Sequence, residues 1–132
     1  MTVVVAEDEV LVRKMVADGL REGGFKVIEA INAEEALIAL EATQEVQCLV
    51  TDVAMGGQMD GLTLCRRLRE DAITRHIPVV VFSILAAGAR ASDAGARAFL
   101  RKPIVESTFV AAVRLAISAQ PSDVMEQQWT TR

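Results

Sequence analysis

Glu7-Asp8-Glu9 and Asp52 are the residues of this chain best placed to do chemistry, because each acidic group closes an apolar run. Thr2-Val3-Val4-Val5-Ala6 leads into the first cluster, and Cys48-Leu49-Val50-Thr51 leads into Asp52 and then a glycine-rich stretch ending at Gly61. A short apolar run ending in a carboxylate reads as a buried strand that delivers the group to the C-terminal edge of a parallel sheet. Open α/β sheets place their ligand chemistry at that edge. Neighbouring strands lie about 4.8 Å apart, so pairing these two runs crowds Glu7, Asp8 and Asp52 into one pocket. Like charges at roughly 4 Å repel by several kcal/mol per pair at an effective dielectric of about 20. Such a cluster needs a cation, a proton or a charge partner, and a divalent metal answers that need.

The elements that must carry these groups alternate along the chain. Residues 2–6 are a continuous β-branched run, as in a strand buried on both faces. From Val10 the period changes, and Leu11, Met15 and Leu20, with Val12 and Val16 beside them, are predicted to mark the inward face of a helix stopped at Gly23-Gly24. Phe25 to Ala30 is the second strand. Asn32 caps the next helix with Glu35 three residues on, and Ala36, Leu37 and Leu40 form its apolar face as far as about Thr43. The third strand, Cys48 to Thr51, carries Asp52. Asp60 caps a helix whose inward residues are Leu62, Cys65 and Leu68. Pro78 opens a fourth strand, Val79 to Phe82, with Ser83 at its end.

Ile84 to Gly95 is weakly patterned, rich in Ala and interrupted by Gly88, so a fourth helix there is expected to be short or irregular. Ala98 to Arg101 is a fifth strand running into Lys102-Pro103. A last helix, from about Glu106 to Ala119, turns Phe109, Val113, Ala116 and Ile117 to one side and stops at Pro121. This gives one domain over residues 1–120 and a polar tail over 121–132. Five βα units imply an α/β fold, a parallel sheet with helices on both faces. A flavodoxin-like order of 2-1-3-4-5 is favoured over a Rossmann half, because only the former sets strands one and three side by side.

Composition narrows the function. The chain has 132 residues, 52% of them hydrophobic, enough for one domain with a real core. A net charge of −4 argues against nucleic acid as the main partner, since phosphate binding needs a basic surface. No apolar run approaches the roughly 18 residues of a transmembrane helix, and no signal peptide is evident. Cys48 and Cys65 read as buried free thiols, His76 as structural, and Met15, Met55 and Met59 as packing residues. A cytoplasmic protein fits these features.

Glu7-Asp8, Asp52, Met59-Asp60-Gly61, Ser83 and Lys102-Pro103, each following a predicted strand in the right order, together resemble a response-regulator receiver domain of two-component signalling. The resemblance covers about residues 2–119. It implies that Asp52 is the phosphoacceptor for a phosphoryl group from a sensor histidine kinase or a phosphotransfer protein. It implies Mg²⁺ held by Asp8, Asp52, the Ala54 carbonyl and, through water, Glu7, an oxygen set that suits this ion. Lys102 would offset the charge of the transferring group, Ser83 would donate a hydrogen bond to it, and Phe99 resembles the aromatic switch residue coupled to Ser83. The Lys102-Pro103 bond is expected to be cis. The resemblance implies a switch and not an enzyme, acting on a downstream protein or passing phosphate onward, with a second copy of the chain among its expected partners. Without it, Ser83 and Lys102 would read as structural and solvated.

Departures from the family pattern carry expectations of their own. Gly56 stands where the family favours Pro, and the loop from Asp52 to Asp60 is one residue longer than the commonest form, so the wall of the metal pocket is expected to be loose. Ile84 after Ser83 is expected to narrow the approach to Asp52. Arg90, Arg97 and Arg101 are expected to form a basic surface near the fifth strand, and residues 84–95 to be held by few buried contacts, with Phe99 turning inward on activation. The end of the chain soon after the fifth helix, and its opening Met1, favour a stand-alone receiver. The rival reading is a phosphorylation-independent adaptor of the same fold. A phosphohydrolase would want a second Asp where Ala54 stands, and neither nucleotide fingerprint, GxGxxG nor GxxxxGK[ST], occurs.

Overall fold

In the computed structural model, which describes residues 1–118, the five apolar runs form five parallel strands: β1 (Thr2–Ala6), β2 (Lys26–Ala30), β3 (Val46–Asp52), β4 (Val79–Ser83) and β5 (Ala98–Arg101). Their order is β2-β1-β3-β4-β5, the flavodoxin-like arrangement expected from the sequence. Five helices connect and follow them: α1 (Val10–Glu22), α2 (Ala33–Ala42), α3 (Gly61–Glu70), α4 (Gly88–Asp93) and α5 (Glu106–Ser118). The tail beyond residue 118, with the expected stop at Pro121, lies outside the described residues.

The central strands are apolar throughout because both faces are covered. Val4, Leu49, Val79, Val81 and Phe99 face a core shared with α2, α3 and α4, while Val3, Val5, Val50, Phe82 and Ala98 face one shared with α1 and α5. Helix starts follow local chemistry. Asn32 accepts the Glu35 N–H at 2.8 Å, and Glu35 reaches back to the Ile31 N–H at 2.9 Å. Asp60 accepts the Thr63 N–H at 2.8 Å. α1 ends at Gly23, and Gly24 takes the left-handed φ of 97° that turns the chain into β2.

Three expectations about packing change. Leu11 and Met15 do not face the core: Leu11 is 82% exposed and Met15 47%, and the buried side of α1 is Val16, Ala17, Gly19 and Leu20 with Val12 at its margin. The predicted stripe mixed two adjacent faces of one helix, and the small residues Ala17 and Gly19 hid the true one. β3 begins at Val46, two residues earlier than read, and Phe25 packs before β2 instead of within it. α4 has only 6 residues, as the weak pattern suggested, yet Ala87, Ala91 and Ala94 are buried against the core. Alanine hides a helical face from any periodicity that counts large residues.

Candidate functional site

β1 and β3 pair in parallel with Ala6 against Thr51, so Glu7 and Asp52 leave the same sheet edge as neighbours. One carboxylate oxygen from each of Glu7, Asp8 and Asp52 lies within 4.8 Å of the other two. Glu7 is 1% exposed and Asp52 6%, whereas Asp8 faces solvent. Lys102, just past β5, donates from Nζ to Asp52 Oδ2 at 2.8 Å and to Glu7 Oε1 at 3.0 Å. The ring of Phe82 lies under that ammonium, 5.2 Å from Nζ to its centroid, and is itself braced edge-on by Phe109 at 6.2 Å. Backbone N–H groups take three of the other oxygens: Val53 on Asp52 Oδ1 at 2.6 Å, Glu9 on Glu7 Oε2 at 2.9 Å and Gly56 on Asp8 Oδ2 at 3.2 Å.

The supports behind the pocket are equally specific. Arg13 donates to the Glu7 carbonyl at 3.0 Å and pairs with Glu29 of β2 at 3.1 Å, fixing the β1–α1 loop to the sheet edge. Gly61 N–H donates to the Val53 carbonyl at 2.9 Å, and a Cβ on Gly61 would sit 1.9 Å from the Asp52 carbonyl oxygen. Only glycine allows α3 to start so close behind Asp52.

Burial pushes the Glu7 carboxyl up to about 7, against the opposing pull of the Glu9 N–H and of Lys102. For Lys102, burial works against the charge, but the hydrogen bonds to Asp52 and Glu7 outweigh it and hold the ammonium above its ordinary pKa. One ammonium among three carboxyl groups leaves an excess of negative charge. The donor set is all oxygen and comes from two strand ends, which suits a hard divalent ion such as Mg²⁺.

The response regulator receiver domain family matches this chain over residues 3–114. The chain belongs to that family. It is 34% identical over 117 residues to the transcriptional regulatory protein PdtaR of Mycobacterium tuberculosis, a match covering 88% of this chain and 56% of that protein. It is 41% identical over 93 residues to the response regulator PleD of Caulobacter vibrioides, covering 68% of this chain and 20% of that one. The receiver thus spans about half or less of the length of these relatives. Among solved structures, a putative response regulator from Chloroflexus aurantiacus superposes with a TM-score of 0.84 at 29% identity, covering 89% of this chain and 98% of that one. The chemotaxis response regulator CheY4 of Vibrio cholerae shares the fold, with a TM-score of 0.80 at 21% identity over 87% of this chain and 97% of its own.

Within this receiver, Ser83 stands one residue beyond the partner of Asp52 in the β3–β4 register, is 1% exposed, and accepts the Leu85 N–H at 3.1 Å. The Lys102–Pro103 peptide is cis. Ala54 is exposed on the β3–α3 loop. Phe99 is 3% exposed and packed in the core on the α4 side. Ile84, next to Ser83, is 69% exposed. Arg97 does not join Arg90 and Arg101 in a surface patch; it donates to the Ala116 carbonyl of α5 at 2.6 Å. Both thiols are buried, with Cys48 pushed up to about 12 and Cys65 to about 11 by that burial, and neither is bonded to the other.

Sequence reasoning missed Arg13 and Phe82 as supports of the site. Arg13 had a legible signal, a cation one helical turn past the acidic loop. Phe82 had none, because a strand phenylalanine reads as core whether or not an ammonium lies on it.

Proposed function

We propose that this receiver is a phosphorylatable switch that takes a phosphoryl group from a phosphohistidine onto Asp52. The observation that carries this is the gathering of Glu7, Asp8 and Asp52 around the Lys102 ammonium at one sheet edge. In the transfer, an Asp52 carboxylate oxygen bonds to phosphorus as the phosphorus–nitrogen bond breaks, and the imidazole leaves with the electron pair. Bound Mg²⁺, held by Asp8, Asp52, the Ala54 carbonyl and Glu7 through water, would supply positive charge to the phosphoryl oxygens. Lys102, held in place by Phe82 and Glu7, adds its own positive charge against the developing negative charge. Ser83, whose oxygen already accepts from Leu85, has its hydroxyl hydrogen available for the phosphoryl group.

The protein then acts as a stoichiometric switch and not as a turnover enzyme, altering its binding to a downstream protein or relaying the phosphoryl group. Leu11, Met15, Ile84 and Val105 are 82, 47, 69 and 62% exposed on segments that leave the edge bearing Asp52. They supply apolar contact for the protein that carries the phosphohistidine. Among the described residues no helix is long and apolar enough to cross a membrane.

The test is transfer of labelled phosphate from a phosphorylated histidine kinase or phosphotransfer protein in the presence of Mg²⁺. The expected result is one acid-stable, alkali-labile acyl phosphate, absent from Asp52→Asn. Equal uptake by that variant would rule out Asp52 as acceptor. No uptake by the wild-type protein, with unchanged partner binding, would favour the adaptor of the same fold.

A further inference from the structure

The β3–α3 loop, residues 53–60, forms one wall of the pocket, since its Gly56 N–H holds Asp8 Oδ2 at 3.2 Å. Two glycines in a row, Gly56-Gly57, should leave that wall loose. It is tied from outside by a residue of α2. Glu34 Oε2 accepts the Gln58 N–H at 2.9 Å. The other oxygen, Oε1, is shut off from solvent with no hydrogen-bond partner, and it lies 2.5 Å from where a Cβ on Gly57 would sit. Gly57 has φ +104°, a backbone conformation that demands glycine, and a Cβ there would have to displace the Glu34 carboxylate. A buried carboxylate oxygen is fixed in place by its surroundings. Here the surroundings are the loop tip itself.

We propose that Glu34 is a positioning residue for the metal pocket: it clamps the tip of the β3–α3 loop, and the clamped loop presents Gly56 N–H to Asp8 and the Ala54 carbonyl to the ion. It rests on the metal-binding reading of Glu7, Asp8 and Asp52. It explains how this receiver keeps a defined wall with glycine where its family favours proline and with a longer loop. Glu34 touches neither the three carboxylates nor the reacting atoms; it acts through Gln58, Gly57 and Gly56.

The test is a Mg²⁺ titration of the full-length ¹⁵N-labelled protein followed by amide shifts, with amide exchange of Gly56 and Gln58 read separately without metal. Glu34→Ala is expected to weaken Mg²⁺ binding on the order of tenfold, the low end for an outer-shell support, and to speed exchange at Gly56 and Gln58. Glu34→Gln, whose amide oxygen can still accept from Gln58, is expected to keep most of the affinity. Glu35→Ala removes the same charge one residue away, together with the contact to the Ile31 N–H. It is expected to lower the melting temperature while leaving Mg²⁺ affinity unchanged. Gly57→Ala attacks the clamp from the loop side and is expected to weaken binding in the wild-type background more than in Glu34→Ala. Equal Mg²⁺ affinity in Glu34→Ala and wild type, or an equal loss in Glu35→Ala, would overturn the proposal. If the wild-type protein binds no Mg²⁺, the metal reading fails by itself. The exchange arm then decides: unchanged rates at Gly56 and Gln58 in Glu34→Ala would reject the clamp as well.

Discussion

Both carboxylate oxygens of Asp52 and of Glu7 have a donor, drawn from Lys102, Val53 and Glu9, whereas the β4–α4–β5 connection holds to the sheet through Ala87, Ala91, Ala94 and Ala96. Each alanine methyl contributes about 0.8 kcal/mol of burial, against about 1.5–3 kcal/mol for a Leu or Phe side chain. Ile84 and Leu85, the large apolar residues of that connection, face solvent. The acidic pocket at the ends of β1 and β3 is therefore tied by charge and hydrogen bonds, and the β4–α4–β5 connection is tied by small side chains. A charge placed on Asp52 meets a rigid pocket and a compliant neighbour. The place to look for the response is the neighbour.

The comparison can be broken first at the charge. Lys102→Ala leaves Glu7 and Asp52 without their ammonium and is expected to destabilise the metal-free protein by about 1–3 kcal/mol. Saturating Mg²⁺ should restore part of this, because it also offsets the carboxylates. Urea unfolding with and without Mg²⁺ measures both, and an unchanged midpoint in the metal-free variant would mean that the pocket is not held by its charges.

A pH scan probes the same pocket with a smaller effect. Glu7 is raised from the ordinary carboxylate value of 4.5 to about 7, so between those values the folded state holds a proton that the unfolded state has released. Its contribution to stability is full below about 4.5 and is lost as the pH rises through about 7. The melting temperature of the metal-free protein is expected to fall by a few degrees over that window, and Mg²⁺ affinity to rise as the proton leaves. Glu29, held low by Arg13 and Arg21 against its burial, loses its contribution only at more acid pH. A wild-type slope that survives Glu7→Gln would assign the titration elsewhere.

Ala91→Gly sharpens the other side of the comparison. Glycine within α4 costs about 1 kcal/mol in helix propensity, and Ala91 is fully buried. Hydrogen exchange of residues 84–96 should quicken while Mg²⁺ binding at Asp52 stays the same. A matching loss of Mg²⁺ affinity would show that the two regions are one unit.

These regions also differ in how far the sequence revealed them. The acidic pocket was legible because strands buried on both faces are unbroken apolar runs, and a carboxylate at the end of such a run is conspicuous. Parallel pairing of β1 and β3 then brings Glu7 and Asp52 together with no further information. Lys102 and Ser83 needed the family resemblance, since a lysine before proline has no periodic signature. α4 was legible only as an absence of pattern, because alanines bury a face without marking it. Leu11 and Met15 mislead for the opposite reason: large apolar residues read as core, and here they are exposed. Glu34 was hidden because it acts on a backbone 24 residues away, through a glycine whose conformation the sequence does not display.

Hydrogen exchange with beryllofluoride and Mg²⁺, which stand in for the phosphoryl group on Asp52, compares the two regions in one experiment. In the free protein, residues 84–98 are expected to exchange faster than β1, β3 and β4, and on addition of the analogue to gain protection while the strands hold theirs. Protection of residues 84–98 equal to that of β4 in the free protein, or unchanged by the bound analogue, would contradict the division into a rigid acidic pocket and a responsive α4 connection.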